Sequence, residues 1–204
     1  MKARLFVICV VSLMLLCVCG DDPAGPQDGP GEIWPLAVGN TWDYYWEEYD
    51  QNDSVVDEGA FAYVVQGDTA VQSETWYILS VGGNPEPALY QNRGDGLWLF
   101  WRSLANPGLF ALYPADISVQ YTHARYDSDI TVQVVSVDTT ITVSAGTYSC
   151  YLYYVKDYDS GEREEEWFLS PDNGLILLNY VDSIGPAQYR TTRRTELTEI
   201  FVQR

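Results

Sequence analysis

The stretch ITVSAGTYSCYLYYVKDYDSGEREEEWFLSPDNGLILLNYV, from Ile141 to Val181, decides the fold class. It reads as strand, tight turn, strand, acidic hairpin tip, strand, turn and strand, with no interval long enough for a helix. Tyr148, Cys150, Leu152 and Tyr154 alternate with Thr147, Ser149, Tyr151 and Tyr153, the period of two that sends successive side chains to opposite faces of a sheet. Ala145 and Gly146, the run Asp159, Ser160, Gly161, and the run Pro171, Asp172, Asn173, Gly174 punctuate it with residues that tolerate turn geometry.

Working outward, the same texture continues in both directions. On the N-terminal side, Gly39 and Asn40 suit a turn, after which Trp42, Tyr44 and Trp46 share one face of a first strand. Asp50 to Asp53 forms the next turn, leading to a strand centred on Phe61, Tyr63 and Val65, and Trp76 to Val81 supplies a third. Ala88 to Gln91 and Leu97 to Trp101 flank a hairpin signal from Asn92 to Gly96. Pro107 to Asp116 is the least regular part and reads as a covering loop with at most one helical turn. Ile130, Val132 and Val134, then Ile141 and Val143, restore strand periodicity, and a last strand runs from Gln188 to about Val202. The sum is an all-β domain of roughly ten to twelve short antiparallel strands, a meander, half-barrel or sandwich, covering residues 33–204. Sixteen Tyr and seven Trp in 204 residues suit pleated, half-buried surfaces.

The N-terminus carries an address. Lys2 and Arg4 precede an apolar run from Leu5 to Val18 broken only by Ser12, which is short for a membrane span and fits the core of a signal peptide over residues 1–18. Leu16, Cys17, Val18 and Cys19 resemble the lipobox of bacterial lipoproteins. That resemblance implies cleavage before Cys19 and acylation there, a membrane anchor held by buried CH₂ groups at ~0.8 kcal/mol each. Val18 stands where the motif has Gly, Ala or Ser, and secretory cleavage after Gly20 is the alternative. Residues 19–32 form an acidic Pro/Gly tether that lacks any large apolar residue. The expected location is the bacterial envelope, lipid-anchored at the outer membrane or cell surface, with the periplasm as alternative.

Eleven Lys and Arg against 29 Asp and Glu give a formal charge of −18. Such a field repels nucleic acid and anionic head groups, so nucleic-acid partners are excluded. Once the leader and a lipidated Cys19 are set aside, Cys150 has no partner for an internal disulfide, and its apolar neighbours mark it as a buried small hydrophobe. One histidine, His123, and one available thiol argue against a zinc site, and no cofactor motif is present. The oxygen-rich runs 50–58 and 157–162 do not match a helix–loop–helix calcium loop and read as solvated hairpin tips. Glu164, Glu165 and Glu166 are expected to pair with Arg190, Arg193 and Arg194 of the last strand. No Gly-x-Ser-x-Gly elbow or phosphate-binding glycine loop occurs, so no catalytic residue is assigned.

Three motifs resemble those of uncharacterised bacterial exported proteins and lipoproteins: the run from Trp34 to Tyr44 (PLxVGNxWxY), the run from Val143 to Tyr151 (VxAGTxxCY), and Ser170 to Ile176 (PxxGLI). Ser144 stands where that group has proline, and Leu177 where lysine is common. The resemblance implies a fold more than a chemistry. More remotely, it is similar to periplasmic lipoprotein carriers, whose curved sheet wraps an apolar groove. The expected role is non-enzymatic binding of a lipid, a glycan or an envelope protein on a sheet face. Trp42, Tyr44, Trp46, Trp98 and Trp101 are the candidate ligand contacts. An envelope hydrolase and a structural surface subunit are the alternatives.

Overall fold

A computed structural model describes residues 31–82, 88–100, 106–124 and 129–203. These form twelve strands and no helix: β1 (Thr41–Tyr49), β2 (Val55–Val71), β3 (Glu74–Val81), β4 (Ala88–Arg93), β5 (Gly96–Phe100), β6 (Gly108–Leu112), β7 (Gln120–Ala124), β8 (Asp129–Val143), β9 (Gly146–Asp157), β10 (Arg163–Ser170), β11 (Gly174–Gly185) and β12 (Gln188–Phe201). All belong to one antiparallel sheet in the order β6-β5-β4-β3-β2-β1-β12-β11-β10-β9-β8-β7. Every ladder joins sequence neighbours except β1 with β12, so the chain is a meander whose first and last strands pair. Of the architectures the sequence allows, this is a nearly closed barrel.

The seam lies between β6 and β7. Among the described residues no ladder joins these two edges; side chains do. The Tyr121 hydroxyl donates to the Phe110 carbonyl at 2.8 Å and accepts from the Leu112 N–H at 3.2 Å, and the Tyr153 hydroxyl donates to the Leu112 carbonyl at 2.7 Å. Phenols thereby satisfy an edge that would otherwise present bare backbone.

Two expectations are corrected here. The segment from Pro107 to Asp116 contains strand β6 instead of a covering loop, and β7 follows where no strand was expected. The acidic strand β10 is not a ladder neighbour of β12, because β11 lies between them. Arg193 faces Glu48 of β1 (3.6 Å), Arg194 pairs with Glu196 (3.0 Å), and Arg190 faces Asp182 of β11 (3.9 Å).

The interior is packed with rings. Trp34 meets Trp42, Tyr63 and Tyr90 at centroid distances of 5.6, 5.5 and 5.8 Å, and Phe110 of β6 stacks on Trp167 of β10 at 4.5 Å. Both faces are covered along β10 and β11, where Trp167 through Ser170 and Gly174 through Leu177 are buried consecutively. The β8–β9 hairpin accounts for the second layer. Its register shifts after Val134 and again after Ser136, and such bulges bend a strand. Its tip reaches β12, where the Ala145 N–H donates to the Leu197 carbonyl at 3.2 Å and Ser144 Oγ to Glu196 at 2.7 Å. Cys150 is buried within this layer, and burial pushes its thiol up to about 12.

Candidate functional site

The barrel has two ends of opposite character. At one, the N-terminal segment acts as a plug: Ile33, Trp34 and Leu36 are at most 2% exposed. It is fastened to the β10–β11 turn, whose Asp172 and Gly174 N–H groups donate to the carbonyls of Glu32 (2.7 Å) and Ile33 (3.1 Å). Gly174 has φ +86° there, and a Cβ would lie 2.6 Å from the Trp34 ring, so glycine is required on both counts. Asn40 knots the plug to both chain ends of the sheet. Its side-chain N–H donates to the Pro35 carbonyl (2.8 Å), and its side-chain oxygen accepts from the Gln203 N–H (2.8 Å).

This placement accounts for the first and third motifs as one structure. Trp42 donates its indole N–H to the Asn173 carbonyl, and Tyr44 its hydroxyl to the Leu175 carbonyl, both at 2.7 Å. Both rings are essentially unexposed. Burial holds the Tyr44 phenol well above its ordinary value. A sequence shows two motifs some 130 residues apart; only the β1–β12 closure brings them into contact.

The other end is the mouth, where the turns 50–54, 157–162 and 185–188 gather. Its lining follows from register, since directly paired residues share a face. One inward-facing rung runs Val155, Glu165, Tyr180, Arg193, Glu48 across β9, β10, β11, β12 and β1. The rung beneath it runs Tyr153, Trp167, Leu178, Thr195, Trp46, ending at Gly59 of β2. A charged and phenolic layer therefore lies directly on an aromatic floor.

Within that layer, the Arg193 guanidinium lies 4.3 Å over the Trp46 ring and 5.9 Å from the Tyr180 ring. A Cβ on Gly59 would come within 2.9 Å of the Trp46 indole, so the missing side chain makes room for that ring. Glu165 is buried and accepts the Trp167 indole N–H at 2.5 Å. Beside the rung, Glu48, Tyr49, Tyr180, Asp182, Arg190 and Arg193 help line an open depression of ≈ 650 Å³, a volume in the range of ligand sites. Arg190 donates to the Asp50 carbonyl at 3.2 Å. Its distance to Asp182, and that of Arg193 to Glu48, exceed hydrogen-bond length. The Nε–H groups of both arginines are enclosed without an acceptor. The donors that can turn to a ligand are therefore their Nη groups, held only loosely by Asp182 and Glu48.

Of the residues singled out from sequence, Trp42 and Tyr44 belong to the plug end, and Trp46, half-buried, to the mouth. Trp98 faces outward on β5, where its indole donates to Asp95 at 2.8 Å and Arg93 lies 4.5 Å over its ring. Trp101 and Cys19 lie outside the described residues. Among the described residues, Trp42 and Tyr44, Trp46, and Trp98 lie in three separate places. The residues the sequence reading missed at the mouth are Tyr180, Arg190 and Arg193, the two arginines having been assigned to β10. The oxygen-rich tips spend carboxylates on their own turns: Asp50 accepts the N–H groups of Ser54 (3.0 Å) and Asn52 (2.8 Å), and Asp157 that of Ser160 (2.7 Å). Those backbone donors hold both carboxyls below their ordinary values.

No protein-family model and no curated protein sequence matches the chain. Among solved structures it is similar to a protein described as exported, of YmcC-like fold, from Bacteroides fragilis NCTC 9343, with 10% identity, a TM-score of 0.44, and coverage of 84% of this chain and 100% of that one. It is also similar to a protein described as a lipoprotein from Parabacteroides distasonis ATCC 8503, with 14% identity, a TM-score of 0.40, and coverage of 86% and 100%.

Proposed function

We propose that this is a non-enzymatic, lipid-anchored protein of the bacterial cell envelope that binds an uncharged glycan at the mouth of its barrel. The observation that carries the reading is the composition of the mouth. An exposed Tyr180 ring, two incompletely satisfied guanidinium groups and three carboxylates (Glu48, Asp50 and Asp182) surround one open depression. Sugars present C–H faces that stack on aromatic rings and hydroxyls that both donate and accept, which suits such a set. Three carboxylates against two guanidinium groups, in a chain of net charge −18, disfavour an anionic ligand.

Two further features support the reading. An acyl chain would need the interior, which Trp34, Trp42, Tyr63, Tyr90, Phe110 and Trp167 fill. The acids of the rung, Glu165 and Glu48, are held apart by Tyr180 and Arg193 on two intervening strands, an arrangement suited to holding a ligand. Gly31 and Glu32 lie at the plug end, so a tether from an acylated Cys19 reaches the domain there. The mouth is then the end farther from the point of attachment.

Calorimetric titration with neutral oligosaccharides, and with uronic-acid oligosaccharides of equal length, tests this. Neutral chains are expected to bind, and Tyr180→Ala and Arg193→Ala each to weaken them by about tenfold. Binding of the acidic chains alone, or neutral binding that neither substitution affects, would overturn the reading.

A further inference from the structure

Large apolar side chains stand exposed on three neighbouring hairpins at the mouth end. Val55 (46%) and Val56 (62%) lie at the β1–β2 tip, Ile184 (60%) at the β11–β12 tip, and Tyr158 (56%) at the β9–β10 tip. β1 pairs with β12, and β11 with β10, so these tips are consecutive around the rim. Two arginines tie them together. Arg190 of β12 donates to the Asp50 carbonyl of the β1–β2 tip. Arg163 of β10 lies 4.3 Å over Tyr154 of β9 and 3.9 Å over Tyr189 of β12.

The exposed charge around these side chains is predominantly acidic, Arg193 in the depression (36% side-chain exposure) being the exception. Asp53, Asp57, Asp159, Glu162 and Asp182 are exposed, whereas Arg163 and Arg190 retain only 15% and 21% side-chain exposure. An apolar centre with an acidic border has the make-up of a docking surface. The sign selects the partner. A second copy of this chain brings the same acids, and an anionic lipid surface is repelled.

We propose that the three tips dock a partner protein whose contacting surface carries apolar side chains bordered by Lys and Arg. The tips lie at the end opposite the plug, so the partner approaches from the side away from the proposed anchor. This surface abuts the proposed glycan site at Val56, Asp182 and Arg190, but Val55, Ile184 and Tyr158 lie outside that depression.

The probe is a labelled amphipathic peptide of alternating Leu and Lys, with a Ser/Lys peptide of equal charge as control, followed by anisotropy against the whole exported chain. Binding of the Leu/Lys peptide, weakened by salt and by about tenfold in the pair Val55→Ser and Ile184→Ser, is expected. The pair Val38→Ser and Phe201→Ser, exposed sites on the turn before β1 and at the end of β12, should leave it unchanged. Both pairs keep every charge, and unchanged circular dichroism shows that the fold is retained. Equal binding of the Ser/Lys peptide, or equal loss in both pairs, would overturn the proposal. So would preferential binding to phosphatidylglycerol vesicles, or a dimer in sedimentation that Val55→Ser and Ile184→Ser dissolve. Neutral-oligosaccharide titration of the same variants separates the two readings, because the tip substitutions should leave sugar affinity intact.

Discussion

At the plug end, Trp42 and Tyr44 are buried and each gives its polar hydrogen to a backbone carbonyl at or just past the β10–β11 turn. A few residues further along the same strand, Trp46 and Glu48 are half-buried and face a guanidinium group instead. The two halves of β1 share a pleat and a face, so strand geometry does not separate them. What does is the neighbour each half is given: a plug and a tight turn below, open space and Arg193 above. Backbone acceptors and rings make a fixed closure, whereas loosely paired charges leave bonding capacity for something else.

That contrast can be broken in several ways. If the tether fastens the plug end to a membrane through Cys19, then Cys19→Ser should abolish metabolic palmitate labelling altogether; labelling that persists would remove the anchor and with it the mouth's place at the end farther from it. Within the domain, Trp42→Ala is expected to cost ~3–5 kcal/mol, the usual range for a buried tryptophan, and it also strands the Asn173 carbonyl. Trp46→Ala should cost about 1–2 kcal/mol, since its ring is only half-buried. Urea unfolding measures both, and equal losses would erase the distinction between the ends.

Alkali probes the interior next. Burial raises the phenols of Tyr44, Tyr90 and Tyr153, and lifts Tyr63 up to about 12. The fold therefore favours the neutral phenol. The stability it contributes is complete below the unfolded value near 10 and is lost as pH rises from there through about 12. Urea midpoints should hold steady to about pH 9 and then fall, with interior tyrosines ionising only as the chain unfolds. Ionisation of all sixteen tyrosines near pH 10 in a still-folded chain would contradict the packing. The smallest effect belongs to the mouth: Arg193→Ala should change stability by less than about 1 kcal/mol, as expected for a partly exposed, loosely held pair, while weakening sugar binding. A large loss of stability would make Arg193 part of the closure.

Much of the barrel was legible in the sequence because turn residues and a period of two are local signals. Gly39 with Asn40, the Asp50 tip, Gly94 with Asp95 and the Pro171 to Gly174 turn all fall where the chain reverses. β6 escaped because GLFAL sits between Pro107 and Pro114 and does not alternate polar with apolar, and β7 because QYTHA is largely polar. Both are edges whose pairing is completed by phenols, which leave no periodic trace. The site was less legible still. Strand order decides which strands are neighbours, and a sequence shows the arginines of β12 without showing that β11 separates their strand from β10. Trp46 stood out because tryptophan is conspicuous; Tyr180 did not, being one of sixteen tyrosines, and only its rung gives it a role.

The difference between the ends is read most directly from the indole N–H resonances during titration with a neutral oligosaccharide. Trp46 should shift in proportion to occupancy, while Trp34 and Trp42 stay in place. Movement of Trp42 with Trp46 unchanged would put the ligand at the plug end and contradict the division of the barrel into a fixed closure and a receptive mouth.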